Sequence, residues 1–190
     1  QALDFACHPQ WTLATLKNGR PKFRNINSVS KNVTVGTRVG QFRREAGRGH
    51  FDWNFLRELR AQWPHKLILK GVMCAEDARN AVDAGADAVY VSNHGGRQLD
   101  SAPPAISMLP LIREALGPEY PIVFDSGVRS GEDIVRTLAS GAGFVMLGRP
   151  FLYALGAGGA GGLSQLLSLL MNELSTVMAQ LGCTRTAQLD

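Results

Sequence analysis

Several features that would place this 190-residue chain in a special class are scarce or missing. The three cysteines, Cys7, Cys74 and Cys183, lie far apart and form no CxxC pair. A disulfide-built secreted scaffold is therefore excluded, and we expect no metal site. No stretch approaches the roughly 20 apolar residues of a membrane span, and no apolar segment behind a basic start marks a signal peptide. The chain opens with Gln1 rather than Met, so we expect its true start to lie further upstream.

The composition is that of a globular protein, with 45% hydrophobic and 19% charged residues. Its charge is uneven, because residues 1–50 contain nine Lys or Arg and two acids, whereas the rest contains eleven and fourteen. Such a basic block fits nucleic acid, an anionic membrane surface or a solvated segment. Since no nucleic-acid-binding motif accompanies it, we favour the solvated segment and expect no nucleic-acid partner.

Helical and strand patterns alternate along most of the chain. A first helix is predicted over residues 9–16, followed by an irregular loop over 18–37. Asp52 is the expected N-cap of the next helix, and Pro64 follows its end. Further helices are predicted over 75–84, 104–116 and 131–140, and short apolar strands over 67–69, 88–91, 121–124 and 144–147. A closing helix presents one apolar face made of Leu163, Leu166, Leu167, Leu170, Leu174, Val177, Met178 and Leu181.

This alternation predicts a parallel sheet covered by helices, either an open doubly wound sheet or a (β/α)8 barrel. Polar and glycine-rich residues directly follow the predicted strands, at 70–71, 92–97, 125–129 and 148–149. Chemistry at the C-terminal ends of successive strands is the barrel arrangement, but a whole barrel takes eight strands and about 250 residues. We therefore predict an α/β fold in which residues 52–190 form four βα units, the C-terminal half of a TIM (β/α)8 barrel. Residues 1–51 form an N-terminal helix and a basic irregular segment.

Two arginine–glycine loops on adjacent strands indicate a phosphate site. Gly148 and Arg149 follow the last strand, and the run Asp125, Ser126, Gly127, Val128 and Arg129 follows the one before. Exposed backbone N–H groups and guanidinium donors together suit the phosphate of a nucleotide-like cofactor. The alternative is that Arg149 caps a carboxylate and the glycines only turn the chain.

Three further side chains are candidates for chemistry. His94 lies just past a strand and beside two glycines, and Arg97 follows three residues later. A histidine base next to an arginine that binds a carboxylate suits proton abstraction from the neighbouring carbon. A purely structural histidine is the alternative. Lys70 ends a predicted strand, where its ammonium needs either an anionic ligand or an ion pair with a barrel carboxylate.

The run Gly156 to Gly161 fits the pattern G-x-G-x-x-G. A dinucleotide-binding fingerprint has to follow a strand and open a helix within a strand–helix–strand unit. No strand is predicted after this run, so we interpret it as a flexible connector.

The segments LILKG, SNHGGRQLD, DSGVRSGEDIVRTLASGA and LGRPFLYAL, in this order, resemble the FMN-dependent L-2-hydroxy acid dehydrogenases and oxidases. That family includes glycolate oxidase, L-lactate dehydrogenase and mandelate dehydrogenase. The resemblance is continuous from about Asp52 to Cys183 and looser over residues 1–25. SNHGGRQLD is its most specific segment, because the phosphate loops alone also fit other phosphate-binding barrels.

The resemblance implies a role for each candidate residue. His94 is similar to the active-site base or proton acceptor, and Arg97 to the ligand of the substrate carboxylate. Lys70 is similar to the lysine that stabilises the reduced flavin, and Ser92 resembles a flavin contact. The remaining cofactor-binding residues, expected at the ribityl chain and phosphate, are Asp125, Ser126, Gly127, Val128, Arg129, Gly148 and Arg149.

The function implied is oxidation of an L-2-hydroxy acid to a 2-oxo acid, with electrons passing through FMN to oxygen, a quinone or a cytochrome. The family's first half supplies two tyrosines, a second arginine and the aspartate that pairs with the histidine. We find no counterpart of these here, and Asp100 is not a convincing substitute for the aspartate. A histidine without its carboxylate is a weaker base, so we expect the chain to be inactive unless it pairs with a missing half or another copy.

The resemblance also suggests a location and partners. We expect a cytoplasmic protein, homo-oligomeric in its full-length form, with peripheral contact to the inner membrane through the basic segment as a hypothesis. Two other functions stay open at this point. One is another phosphate-binding TIM-barrel enzyme, and the other is a non-catalytic half-barrel binding module.

Overall fold

A computed structural model of the chain describes residues 2–19 and 51–189, and the chain divides into two compact units, residues 1–50 and 51–190. The first unit contains α1 (Ala2–Cys7) and α2 (Pro9–Asn18). The helix predicted over 9–16 is therefore confirmed, and it continues for two residues. The irregular loop predicted over 18–37 lies outside the described residues, apart from its first two positions, where Asn18 ends α2.

The second unit alternates strands and helices as the sequence predicts. Its elements are α3 (Trp53–Gln62), β1 (Ile68–Val72), α4 (Ala75–Asp83), β2 (Ala88–Val91), α5 (Ala105–Leu116), β3 (Ile122–Phe124), α6 (Gly131–Ala139), β4 (Phe144–Val145) and α7 (Arg149–Gln180). Short 3₁₀ turns cover His94–Gly96 and Thr186–Gln188. The predicted end of β1 at Leu69 is wrong, because β1 continues through Lys70 and Gly71. Its pairing with β2 shifts register between Lys70 and Val72.

The four strands are parallel and follow one another in the order β1-β2-β3-β4. Each new strand is therefore added on the same side of the one before it. A doubly wound sheet reverses its strand order at a switch point, whereas a barrel keeps adding strands in one direction. The strand order favours barrel-type winding over the open-sheet alternative.

The two faces of the sheet differ in exposure. One face packs against the helices, where Val89, Val91, Ile122 and Phe124 are buried in the core with Leu109 and Ile112 of α5. Strand register places Ile68, Lys70, Tyr90, Val123 and Phe144 on the opposite face. There Ile68 and Phe144 are 49% and 58% exposed. This open apolar face, which corresponds to the inside of a barrel, has no covering layer among the described residues.

Local capping fixes where the helices begin. The Asp52 carboxylate accepts a hydrogen bond from the Phe55 N–H at 2.8 Å, so Asp52 is the N-cap predicted for α3. Ser130 and Asp133 form a capping box at the start of α6. Behind it, the buried Gly131 donates its N–H to Glu173 Oε2 at 2.7 Å. A Cβ on Gly131 would lie 2.3 Å from the Leu174 nitrogen, so only glycine lets α6 approach α7 this closely.

The closing helix α7 is longer than predicted and is broken near its first third. Gly158 and Gly159 leave helical geometry, which places the break within the predicted glycine connector. Of the apolar face predicted for this helix, Leu170 and Met178 are buried, but Leu167 and Leu181 are exposed. In the part of the chain that the structure describes, α7 alone is long and apolar enough to cross a membrane by length and composition. The expectation that no stretch of the chain approaches the length and hydropathy of a membrane span is thus corrected.

Asp87 connects the N-terminal ends of β1 and β2 with α3 through hydrogen bonds. Its carboxylate accepts hydrogen bonds at 2.9 Å from Lys66 Nζ, from the Leu67 N–H and from Arg60 Nη1. Arg60 extends from α3 and also donates to the carbonyls of Trp63 and His65. The hydrogen bonds from Lys66, Leu67 and Arg60 lower the pKa of Asp87 to about 2. The ionised carboxylate therefore holds α3 and the segment before β1 against the start of β2.

We expect Asp87→Asn to destabilise the protein at pH 7 and to have little effect at pH 2. A carboxyl whose pKa is lowered by folding stabilises the native state above its unfolded pKa, and this contribution is lost as pH falls through the folded pKa. The loss therefore occurs between about pH 4 and pH 2. Urea unfolding of both proteins across this range measures it. Asp83→Asn, at an exposed position at the end of α4, is the control, and a destabilisation by Asp87→Asn that is constant with pH would contradict the assignment.

Candidate functional site

A cavity of about 230 Å³ opens at the C-terminal ends of the strands. It is lined by Lys70, His94, Gly95, Arg97, Asp125, Ser126, Gly127, Val128, Arg129, Met146, Gly148, Arg149, Pro150 and Leu152. All the candidate residues from the sequence are in this set except Ser92, which is 1% exposed and lies beneath the cavity floor. The structure thus brings together Lys70 of β1 and the loops that follow β2, β3 and β4, although the roles of these residues stay predictions.

The Asp125 carboxylate, at the end of β3, is the centre of the polar network under this cavity. Its Oδ2 accepts hydrogen bonds from Tyr90 OH at 2.8 Å and from Lys70 Nζ at 3.1 Å. Its Oδ1 accepts from Ser126 Oγ at 2.9 Å and from Ser92 Oγ. A carboxylate offers about four lone-pair sites, so these four donors from three strands satisfy it fully.

These contacts decide the charge state of the network. Burial alone would raise the pKa of Asp125, but the hydrogen bonds from Ser92, Tyr90, Ser126 and Lys70 outweigh it and lower that pKa. Burial and the hydrogen bond to Asp125 raise the pKa of Tyr90 above its ordinary value. At neutral pH the Asp125 carboxylate is therefore ionised and the Tyr90 phenol is protonated.

Lys70 takes the ion-pair arrangement that the sequence left open. Its ammonium lies 3.1 Å from Asp125 Oδ2 and donates to Ser92 Oγ at 2.8 Å. An ammonium has three N–H donors, so one remains for a ligand after these two bonds. The Lys70 side chain is 41% exposed and lines the cavity, so the ion pair and an anionic ligand are compatible.

The loop that contains His94 has an unusual backbone. His94, Gly95 and Gly96 all have positive φ, at 56°, 65° and 76°, a region that non-glycine residues seldom adopt. Ser126 Oγ accepts hydrogen bonds from the Asn93 and Gly95 N–H groups, both at 3.2 Å. The end of β3 thus holds this loop in place, and the strained conformation of His94 is typical of a functional position.

His94 and Arg97 line the same cavity, and both are exposed. The ring atom Cε1 of His94 lies 3.7 Å from the position that a Cβ would take on Gly71. Among residues 2–19 and 51–189, no carboxylate is hydrogen-bonded to the His94 ring, and Asp100 makes no such bond either. The imidazole therefore lacks, within the described chain, the acid partner that would strengthen it as a base.

Both glycine–arginine corners line the cavity. The Arg149 guanidinium donates to the Gly95 carbonyl at 3.3 Å, whereas the alternative from the sequence had it capping a carboxylate. Gly148 is the N-cap of α7, and Gly127 has φ +91° with open space where a side chain would project. The N-terminus of α7, in a cavity that Arg129 and Arg149 also line, suits a phosphate dianion, although Pro150 provides no N–H.

Sequence reasoning missed Tyr90. An aromatic residue in a short apolar strand is usually read as core, but Tyr90 is two residues before Ser92 on the inward face of β2. The alternation of strand side chains was the available signal, because it places positions 90 and 92 on the same face.

Comparison with known proteins relates the chain to a single family. The family model described as FMN-dependent dehydrogenase matches residues 1–190. The chain is 41% identical over 183 residues to the (S)-mandelate dehydrogenase of Pseudomonas putida, covering 95% of this chain and 45% of the relative. It is 41% identical over 186 residues to an L-lactate dehydrogenase of Bartonella quintana (strain Toulouse), covering 95% and 47%.

Solved structures agree with the sequence comparison. The crystal structure of the monotopic membrane protein (S)-mandelate dehydrogenase matches 100% of this chain and 50% of its own, with a TM-score of 0.88 and 40% identity. A mandelate oxidase with (S)-4-hydroxymandelic acid matches 73% of this chain and 39% of its own, with a TM-score of 0.69 and 43% identity. The chain spans about half the length of the relatives it matches. The predicted fold, four βα units of a TIM barrel, is thereby confirmed.

We expect Gly95→Ala to destabilise the protein by about 1–2 kcal/mol, because a Cβ is unfavourable in the left-handed region. That Cβ would also lie 2.6 Å from Arg149 Nη2 and would displace the guanidinium from the Gly95 carbonyl. Chemical denaturation measures the change. Gly148→Ala is the control, because Gly148 has negative φ and open space around it. Equal stability of the two variants would be evidence against a constrained His94 loop.

Proposed function

Because this chain belongs to the FMN-dependent dehydrogenase family, we propose that it forms the cofactor- and substrate-binding half of an L-2-hydroxy acid dehydrogenase or oxidase. The observation that carries the proposal is the single cavity shared by His94, Arg97, Lys70 and the two glycine–arginine corners. A base, a carboxylate anchor, an ammonium and a phosphate cradle are the four groups that this oxidation needs. Mandelate and lactate, named in the relatives, are the two substrate types to test first.

The residues present fit FMN. Arg129, Arg149 and the N-terminus of α7 would hold its phosphate, next to the open glycines 127 and 148. The remaining Lys70 N–H would bind the electron-rich edge of the flavin ring, where a positive charge favours the reduced, anionic form. When bound, the flavin supplies the site with an acceptor for two electrons, which no side chain of the cavity provides.

The remaining chemistry is assigned to the His94 loop. Arg97 would bind the substrate carboxylate through two parallel hydrogen bonds, which fixes the position of the neighbouring carbon. A ring nitrogen of His94 would then take a proton from the substrate, either from that carbon or from its hydroxyl group. The hydrogen bonds from the backbone of residues 93–96 to Ser126 and Asn93 would hold the base of this loop in place during the reaction.

The site as described is incomplete for turnover, and we propose that the 190-residue chain is inactive by itself. The His94 ring has no carboxylate partner in the described residues, and the open apolar face of the sheet lies directly below the cavity. A second polypeptide segment that covers this face would supply both the missing acid and a dry environment. The terminal electron acceptor of the complete enzyme, whether oxygen, a quinone or a cytochrome, is part of the same proposal.

We expect the purified chain to bind FMN more tightly than riboflavin, because Arg129 and Arg149 would bind the phosphate group that riboflavin lacks. Quenching of flavin fluorescence gives both affinities. Arg149→Gln should remove this preference, with an effect of about tenfold or more on FMN. Arg136→Gln, which removes a surface charge from α6, is the matched control and should change neither affinity.

Turnover of lactate, glycolate and mandelate by the same chain, measured as flavin bleaching, should be absent. Normal turnover would contradict the proposed inactivity without affecting the FMN assignment. Binding of a phosphorylated sugar with no binding of FMN would favour the other phosphate-binding barrel enzymes. A non-catalytic binding module predicts two other results. The chain would bind ligands through their phosphate, and His94→Ala would change nothing that is measured.

A second proposal concerns the membrane. A solved structure that matches the whole chain is that of a monotopic membrane protein, and residues 1–50 carry nine basic residues against two acids. We propose peripheral contact between this basic segment and an anionic bilayer. The segment from 20 to 50 lies outside the described residues, so the proposal rests on charge and on the relative.

Charge reversal tests the membrane proposal. We expect the chain to co-sediment with vesicles that contain anionic lipid, and this binding to weaken in Arg43→Glu/Arg44→Glu and at high salt. Vesicles of neutral lipid are the control. Binding that is the same for both vesicle types and for the variant would count against an electrostatic contact.

A further inference from the structure

Tyr90 lies between the two charged groups of the cavity floor and contacts both. Its hydroxyl donates to Asp125 Oδ2 at 2.8 Å, and the Lys70 ammonium lies over its ring, 4.2 Å from the centroid. We propose that Tyr90 is a positioning residue that holds Lys70 and Asp125 in their cavity-facing arrangement. That the ligand above them is FMN rests on the proposed function; the positioning itself does not.

The geometry explains why a tyrosine is suited to this task. Lysine has a flexible four-carbon stem, and the Lys70 side chain is 41% exposed, so its ammonium needs several contacts to stay in one place. It has three, to Ser92 Oγ, to Asp125 Oδ2 and to the face of the Tyr90 ring. The ring attracts the cation directly. The phenol acts indirectly, because it fixes the carboxylate oxygen that receives the ammonium.

A purely structural role would leave a different pattern of contacts. Tyr120, another half-buried tyrosine, donates its hydroxyl to the Ala86 backbone carbonyl and touches no charged group of the cavity. Tyr90 instead donates to an ionised carboxylate, and such a hydrogen bond is stronger than one between neutral groups. An aliphatic residue at position 90 would fill the same strand face and would provide neither contact.

The test compares Tyr90→Phe with Tyr120→Phe, which delete the same hydroxyl inside and outside the network. Both variants are treated without FMN with an amine-acylating reagent, and mass spectrometry follows the modification of Lys70. Lys66, whose side chain is 84% exposed, is the internal reference. We expect Tyr90→Phe to raise the Lys70 to Lys66 labelling ratio roughly fivefold, and Tyr90→Leu to raise it further, because Leu also removes the ring. Tyr120→Phe should leave the ratio unchanged.

A double substitution checks that the phenol acts through the carboxylate. Asp125→Asn alone should release Lys70, and Tyr90→Phe added to it should release Lys70 no further. Equal labelling ratios in Tyr90→Phe and the wild type, or fully additive effects in the double variant, would overturn the proposal. Circular dichroism excludes unfolding, which would also expose Lys70 to the reagent.

The two proposals fail in different experiments. FMN at saturating concentration should protect Lys70 of the wild-type chain from acylation, and Tyr90→Phe should weaken FMN binding several-fold more than Tyr120→Phe. If FMN gives no protection at any concentration, the proposed function is wrong, whereas the FMN-free labelling ratio still decides the role of Tyr90.

Discussion

The carboxylate of Asp125 is the contact on which the upper edge of the sheet depends. It accepts hydrogen bonds from side chains of β1 and β2 and from the residue that follows it. Through Ser126 the same network reaches the loop that carries His94. A partly buried carboxylate is costly unless its lone pairs are satisfied. Removal of any one of these donors would therefore leave a lone pair of Asp125 without a hydrogen bond. The hydrogen bonds of the cavity floor therefore depend on one another. They also fix the positions of Lys70 and of the loop that carries His94.

The open face of the sheet, unlike the cavity floor, has apolar side chains that are not satisfied by contacts among the described residues. Ile68 and Phe144 are large apolar side chains that remain exposed, although the helix-covered face of the same strands is buried. The outer strands β1 and β4 also have unpaired backbone edges within the described part of the chain. The two unpaired edges favour the addition of further strands, and the exposed apolar face favours a layer that covers it. Both the stability of the fold and the dryness of the cavity thus depend on what covers the same apolar patch.

The sequence predicts the elements well because apolar runs of three or four residues alternate with helices, most of which end at glycines. Its errors have local physical reasons. Lys70 and Gly71 look like the end of a strand, yet pairing of Lys70 with Tyr90 carries β1 through them. The exposure of Leu167 depends on what α7 packs against, which periodicity does not contain. The site residues cluster as expected, because strand ends meet at one edge of a parallel sheet. The hydrogen-bond network beneath them was not predicted. The sequence pattern does not show whether Tyr90 and Ser92 donate to a carboxylate or simply pack in the core.

The break at Gly158 and Gly159 divides α7 into two parts that contact different regions of the protein. The second part is fixed to α6 by the close approach at Gly131 and by Glu173, whereas the first part begins at the glycine–arginine corner. Mutations that tilt or lengthen the first part need not disturb the second, because no continuous run of helical hydrogen bonds couples them rigidly. The glycine pair therefore separates the corner at Gly148 and Arg149 mechanically from the part of α7 that packs on α6, so that the corner can change its position without disturbing the packing of the last βα unit.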